Sequence, residues 1–176
     1  MNLTLGDVQT TALIPVAIKA NETNRKNPRI KDEVAAEIIK TLGIDTKPFD
    51  KFMSHEGVIA RTVMLDRMVK AFVAKNPASV IVNIGSGLDN RFSRVDNGKI
   101  FWFDLDLADS IALRKKVFKE RERVTMISGS CLEEGWCQSV KEKIAQNNSK
   151  VLFLAEGLFM SKLMPKMNDR WATFEW

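Results

Sequence analysis

Residues 80–87, Val-Ile-Val-Asn-Ile-Gly-Ser-Gly, constrain this chain more than any other stretch. A β-branched apolar run this short, closed by glycine, reads as a strand buried on both faces of a parallel sheet. Gly85 and Gly87 allow a tight turn and a close approach to a ligand that any Cβ would push away. A second strand, Ile100 to Leu105, ends in acid at Asp104 and Asp106. Asp106 lies 21 residues beyond Gly85, near the ~20-residue interval at which nucleotide-binding α/β units set a carboxylate on ribose hydroxyls. The third glycine of a dinucleotide fingerprint is missing, because Asn90 stands there. A glycine pair alone serves any tight strand-to-helix turn; the acid closing the next strand is what points to a ligand.

The 176 residues are one domain's worth of chain, with room for a helical extension. Val8, Ala12, Leu13, Val16 and Ala17 have helical spacing over residues 8–20 despite Pro15, and Asn21 to Arg29 reads as loop. A second helix starts near Asp32, carries Val34, Ile38, Ile39 and Leu42 on one face, and stops at Gly43. After a break at Lys47-Pro48, a long helix runs from Glu56 to Lys75 and ends at Asn76-Pro77. From Ser79 the period changes. A helix at Asp109 to Glu122 follows the second strand, then a strand at Arg123 to Ile127. A helix at Glu134 to Gln146 and a strand at Val151 to Ala155, closed by Glu156-Gly157, complete the alternation.

Strands alternating with helices imply an α/β fold: a Rossmann-like doubly wound parallel sheet with helices on both faces. Residues 1–77 are expected as an N-terminal helical cap and 78–176 as the ligand-binding core, within a single structural domain. Right-handed crossovers put every strand's carboxyl end on one rim. Gly85, Gly87, Asp104, Asp106, Ser130 and Glu156 all fall there, where open α/β sheets bind ligands.

The charge balance, 27 basic against 22 acidic residues, is spread along the chain. Its densest stretch, Arg114, Lys115, Lys116, Lys119, Arg121 and Arg123, reads as the solvated face of a helix rather than a nucleic-acid patch. Cys131 and Cys137 lack metal-ligand spacing with histidine and read as reduced thiols of a cytoplasmic protein. The single His55 argues against a histidine triad or a multi-histidine metal site, and reads as a surface or helix-start residue. The N-terminus lacks the pattern of a signal peptide, and no apolar run approaches the ~20 residues that span a membrane. No metal, nucleic-acid or membrane partner is expected.

Four blocks then carry a resemblance. Val-Asn-Ile-Gly-Ser-Gly-Leu-Asp-Asn-Arg (82–91) and Phe-Asp-Leu-Asp-Leu-Ala-Asp-Ser-Ile-Ala-Leu-Arg-Lys (103–115) are the first two. Gly-Ser-Cys-Leu-Glu-Glu-Gly-Trp (129–136) and Ala-Glu-Gly-Leu-Phe-Met (155–160) follow in order. Together the chain resembles the leucine carboxyl methyltransferase and tetracenomycin-type O-methyltransferase superfamily, class I enzymes that use S-adenosylmethionine. Thr-Ala-Leu-Ile-Pro (11–15), Lys-Ala-Asn-Glu (19–22) and the segment around Arg61 fit as well. The resemblance implies that Gly85 and Gly87 sit under the methionine part of the cofactor and that Asp106 holds the ribose. It implies further that Leu132 and the backbone of Cys131 flank the adenine, that Glu156 sits near the ammonium, and that Arg61 pairs with the carboxylate, assisted by Lys19. Cations for a carboxylate and acids for hydroxyls and ammonium are what this zwitterion requires.

The chain departs from that family in two places. Ser161 stands where a tyrosine is usual, and there is no tyrosine anywhere. Family members also continue further beyond the Ala-Glu-Gly block, and Phe174-Glu175-Trp176 resembles a segment found later in them. The expectation is a class I sheet missing its last strands, with Val151 to Ala155 as an exposed edge. That edge would favour self-association or poor solubility, partly covered by Trp171, Phe174 and Trp176. The implied function is methyl transfer to a hydroxyl or carboxylate of a small-molecule acceptor. A displacement of this kind needs alignment more than acid–base groups, and no catalytic residue is named. Two alternatives stand: a shortened methyltransferase-fold module that binds cofactor or a partner with little or no catalysis, and a nicotinamide-dependent enzyme.

Overall fold

A computed structural model describes residues 7–49, 52–119 and 121–158. They divide between two compact units, one drawn from Met1–Ala74 and Leu88–Asp96, the other from Lys75–Gly87 and Asn97–Trp176.

The first unit is helical. α1 (Asp7–Thr23) carries Pro15 within it and continues three residues past the expected end. Its last residue, Thr23, accepts the Asp32 N–H on its hydroxyl and donates to the Lys19 carbonyl. α2 (Glu33–Leu42) begins as its sequence signals dictate. The Asp32 side chain accepts the Ala35 N–H as an N-cap, and Gly43 closes the helix at φ +64. A single 3-10 turn at Lys47–Phe49 follows, then α3 (Phe52–Lys75). α4 (Arg91–Val95), a short helix after the glycine turn, was not anticipated from the sequence. Ile18, Ile30 and Ile59 form an apolar centre, with Ile14, Phe49, Val58 and Val63 packed around it.

His55 corrects the sequence reading in part. It lies in the first turn of α3, yet it is buried rather than at the surface, with Nε2 2.8 Å from Glu22 Oε2 on α1. A carboxylate only accepts, so the imidazole N–H donates. The Arg29 backbone N–H and its Nε also donate to Glu22, at 2.7 and 3.1 Å, and Arg29 bridges onward to Glu56.

The second unit is a four-stranded, all-parallel sheet of order β3-β2-β1-β4. Its strands are β1 (Val80–Ile84), β2 (Phe101–Asp106), β3 (Val124–Ser128) and β4 (Val151–Ala155). β1 lies centrally and every residue in it is buried, as its unbroken apolar run requires. α5 (Ala108–Val117) and α6 (Cys137–Asn147) cover opposite faces. Val80, Val82, Ile84, Phe103 and Leu105 face α6 and pack on Trp136, Cys137 and Val140. Trp136 meets Phe153 edge to face at 6.4 Å. On the other face, Arg114 of α5 reaches Asp104. α5 ends earlier than expected because buried Phe118 turns extended and the chain reverses through the Arg121–Val124 bridge into β3.

The basic stretch is only partly solvated. Lys115, Lys116 and Lys119 are exposed, but Arg114 is buried and Arg123 donates to the Ile100 carbonyl. Among the described residues no helix is long and apolar enough to cross a membrane. Ser161, Trp171, Phe174 and Trp176 lie outside the described residues.

The Glu22 network carries a pH dependence. Burial pushes the carboxyl up, but hydrogen bonds from the Arg29 side chain and backbone and from His55 outweigh it, lowering the pKa from 4.5 to about 2. A carboxyl held down in the folded state stabilises the fold above its unfolded value, and that stability is lost as pH falls toward the folded one. Glu22 should contribute about 3 kcal/mol at neutral pH, lost between roughly pH 4.5 and pH 2. Urea unfolding across that range should show the loss in wild type. Glu22→Gln should be less stable at pH 7 and flatter below pH 4.5; an equally steep profile would remove Glu22 as the cause.

Candidate functional site

The carboxyl ends of β1, β2 and β3 converge on Leu105 and Asp106. The Gly85 and Ser86 N–H groups both reach the Leu105 carbonyl, at 2.8 and 3.2 Å, and the Gly129 N–H reaches the Asp106 carbonyl at 2.9 Å. Gly85 and Gly87 adopt φ of +66 and +46, the left-handed region that a Cβ disfavours. A Cβ on Gly85 would also stand 3.0 Å from Leu158 Cδ1. Both glycines are therefore required by the backbone itself.

Asp106 is half-buried at the tip of β2. Its Oδ2 accepts the Gly87 N–H at 2.7 Å and its Oδ1 the Leu107 N–H at 2.8 Å. A carboxylate offers about four lone-pair sites, so each oxygen keeps acceptor capacity for a further donor. The spacing read from the sequence is thus a direct bond between the glycine turn and the acid.

Asp104 corrects the sequence reading. It lies two residues inside the strand with no exposed surface, and is no part of the rim. Asn83, its register partner on β1, donates to Oδ1 at 3.0 Å, and Trp102 Nε1 donates to the same oxygen at 2.9 Å. The Arg114 guanidinium meets Oδ2 at 2.7 Å and donates to the Gly87 carbonyl at 3.0 Å.

Cys131 is half-buried and packs against the α6-facing core. Burial pushes its thiol up and the nearby Asp106 carboxylate adds to the shift, so the sulfur stays neutral at physiological pH. Leu132 is half-buried in the same loop, its N–H donating to Ser130 Oγ at 3.2 Å. Ile84 pairs with Ala155 in register, which sets half-buried Glu156 level with Gly85. Gly85, Gly87, Asp106, Cys131, Leu132 and Glu156 therefore share one end of the sheet.

Lys19 and Arg61 belong to the helical unit. Lys19 is buried and ion-paired with Asp89 there, and Arg61 is half-buried on α3. Leu107, next to Asp106 in the chain, is a large apolar residue 54% exposed. Sequence reasoning missed the buried role of Arg114, which nothing within a run of basic residues signals.

A parallel sheet whose first strand ends in a left-handed glycine pair, tied to the acid of the next strand, has the Rossmann-like α/β arrangement. The sequence profile of the leucine carboxyl methyltransferase family matches residues 12–170, and the chain belongs to that family, as the four blocks implied. It is 28% identical over 156 residues to the tetracenomycin polyketide synthesis O-methyltransferase TcmP of Streptomyces glaucescens, covering 88% of this chain and 56% of that protein. It is 23% identical over 172 residues to the S-adenosyl-L-methionine-dependent methyltransferase dpfgK of Gibberella zeae, covering 89% of this chain and 56% of that one. The chain spans just over half the length of the curated relatives it matches.

Proposed function

We propose that the protein is an S-adenosylmethionine-dependent O-methyltransferase acting on the hydroxyl or carboxylate of a small molecule. The observation that carries this reading is the Asp106–Gly87 bond at the rim, in a chain of the leucine carboxyl methyltransferase family. The residues fit the cofactor. Asp106 retains acceptor capacity for ribose hydroxyls, and the glycine turn offers backbone with no side chain in the way. Half-buried Leu132, with the backbone of Cys131, is the candidate surface for the adenine that the family resemblance implies. Glu156 is the acid for an ammonium. Arg61, with Lys19, is supported as partner of the carboxylate by the family resemblance alone.

When bound, the cofactor supplies a sulfonium methyl group, and the reaction is a displacement that depends on alignment. The chain's own part is to hold and orient. The two free cysteines support a reducing, cytoplasmic setting. Self-association through β4 is a further part of this reading. Among the described residues β4 pairs only with β1, and four of its five residues are half-exposed.

Isothermal titration should show binding of S-adenosylmethionine and S-adenosylhomocysteine and none of NAD. Asp106→Ala should weaken binding by about 1–3 kcal/mol through lost charge-assisted hydrogen bonds. Arg61→Lys should also weaken it, because lysine cannot reproduce a bidentate fork. NAD binding in place of the sulfonium ligand would reject the reading, and binding without turnover in a methyl-transfer screen would favour a non-catalytic module. Sedimentation at several concentrations should show reversible association that a Leu152→Lys edge substitution abolishes; a concentration-independent monomer would remove β4 as an interface.

A further inference from the structure

We propose that Arg114 and Asp104 form a buried positioning pair for the cofactor rim, holding the Gly87 peptide and, through it, the Asp106 carboxylate in the orientation that receives the ribose. The inference rests on the cofactor reading above and adds to it two residues that are closed to solvent and act only through others.

Gly87 is held at both of its polar groups. Asp106 accepts its N–H at 2.7 Å, and Arg114 donates to its carbonyl at 3.0 Å. A glycine at φ +46 has no side chain to fix it and the most permissive backbone of any residue, so whatever engages those two groups sets its conformation. Arg114 is itself immobilised. Its second terminal nitrogen lies 2.7 Å from Asp104 Oδ2, and its plane lies over the Phe118 ring at 4.3 Å. The guanidinium is a rigid planar fork, so seating one arm on Asp104 aims the other. Asp104 is fixed in turn by Asn83 and Trp102 on its other oxygen.

Stability alone gives this pair little reason to exist. A buried ion pair is often no more stabilising than apolar residues of the same volume. Its placement is accounted for by what it holds, the last glycine of the turn. With Gly87 fixed, the Asp106 oxygen that accepts its N–H is fixed too, and the remaining acceptor sites keep one direction. Arg114 and Asp104 are therefore positioning residues, acting along the path Asp104, Arg114, Gly87, Asp106.

A thermodynamic cycle on the full chain tests this, read by titration with S-adenosylhomocysteine. Lysine at 114 keeps the charge but cannot span both acceptors, so Arg114→Lys should weaken binding about tenfold. Placed on Asp106→Ala, the same substitution should change affinity less than about twofold, because its path runs through the removed carboxylate. A merely structural role would lower the melting temperature in both backgrounds and leave the affinity effects additive. Additive effects, or an Arg114→Lys protein that binds like wild type while Asp106→Ala does not, would overturn the positioning role alone. Wild type that fails to bind would overturn the cofactor reading and the positioning role with it. Should Arg114→Lys not fold, Trp102→Phe removes one donor from Asp104 and enters the same cycle, with an expected loss of about threefold; unchanged affinity there would also overturn the role.

Discussion

A carboxylate with no exposed surface in the middle of a sheet dictates what stands around it. Removing Asp104 from water carries a desolvation penalty of several kcal/mol, which only close, well-directed donors offset. Its neighbours are such donors. An asparagine occupies the register position on β1 in a strand that is otherwise apolar, and a tryptophan two residues earlier on β2 turns its indole N–H inward. An arginine on α5 leaves the solvated basic run to complete the set. The polar identity of Asn83, the choice of tryptophan at 102 and the burial of Arg114 all follow from one charge. The glycine turn inherits its anchor from the same group, since the arginine that neutralises Asp104 also holds the Gly87 carbonyl.

The helical unit solves a comparable problem with more charges. The segment directly after the glycine turn, Leu88–Asp96, carries Asp89, Arg91 and Arg94, and it is bound within that unit by Lys19, Asp32 and Asp66. Three cations face three carboxylates. Burial pushes the Asp89 carboxyl up, but the charges of Lys19, Arg91 and Arg94 outweigh it and hold it well below the ordinary range. Buried charges in balanced sets specify one arrangement, because each displaced partner leaves another uncompensated. Within the helical unit, the segment Leu88–Asp96 is thus held by ion pairs to residues of α1, α3 and the α2 cap.

Much of this architecture was legible in the residues. β1 and β4 fall where their apolar runs end, and α2 begins and stops at the cap residues Asp32 and Gly43. Those features are local, written in neighbouring side chains. The misreadings have a common cause in long-range contact. Asp104 looked like a second rim acid because strand ends are where acids gather, and nothing nearby in sequence announces Arg114 as its partner ten residues on. His55 looked solvent-facing because its partner, Glu22, lies 33 residues away on another helix. α5 looked longer because basic residues continue the helical composition, while the turn into β3 depends on burying Phe118.

In the proposed function the Asp106 carboxylate, set by Gly87, receives the ribose of the cofactor. A crystal structure with S-adenosylhomocysteine tests it most directly. Ribose hydroxyls are expected within hydrogen-bonding distance of Asp106, about 2.5–3.0 Å, with the Gly87 N–H still on Oδ2 and Arg114 still on the Gly87 carbonyl. A ligand bound away from the carboxyl ends of the strands, or an Asp106 that turns aside and leaves the ribose to other groups, would contradict it.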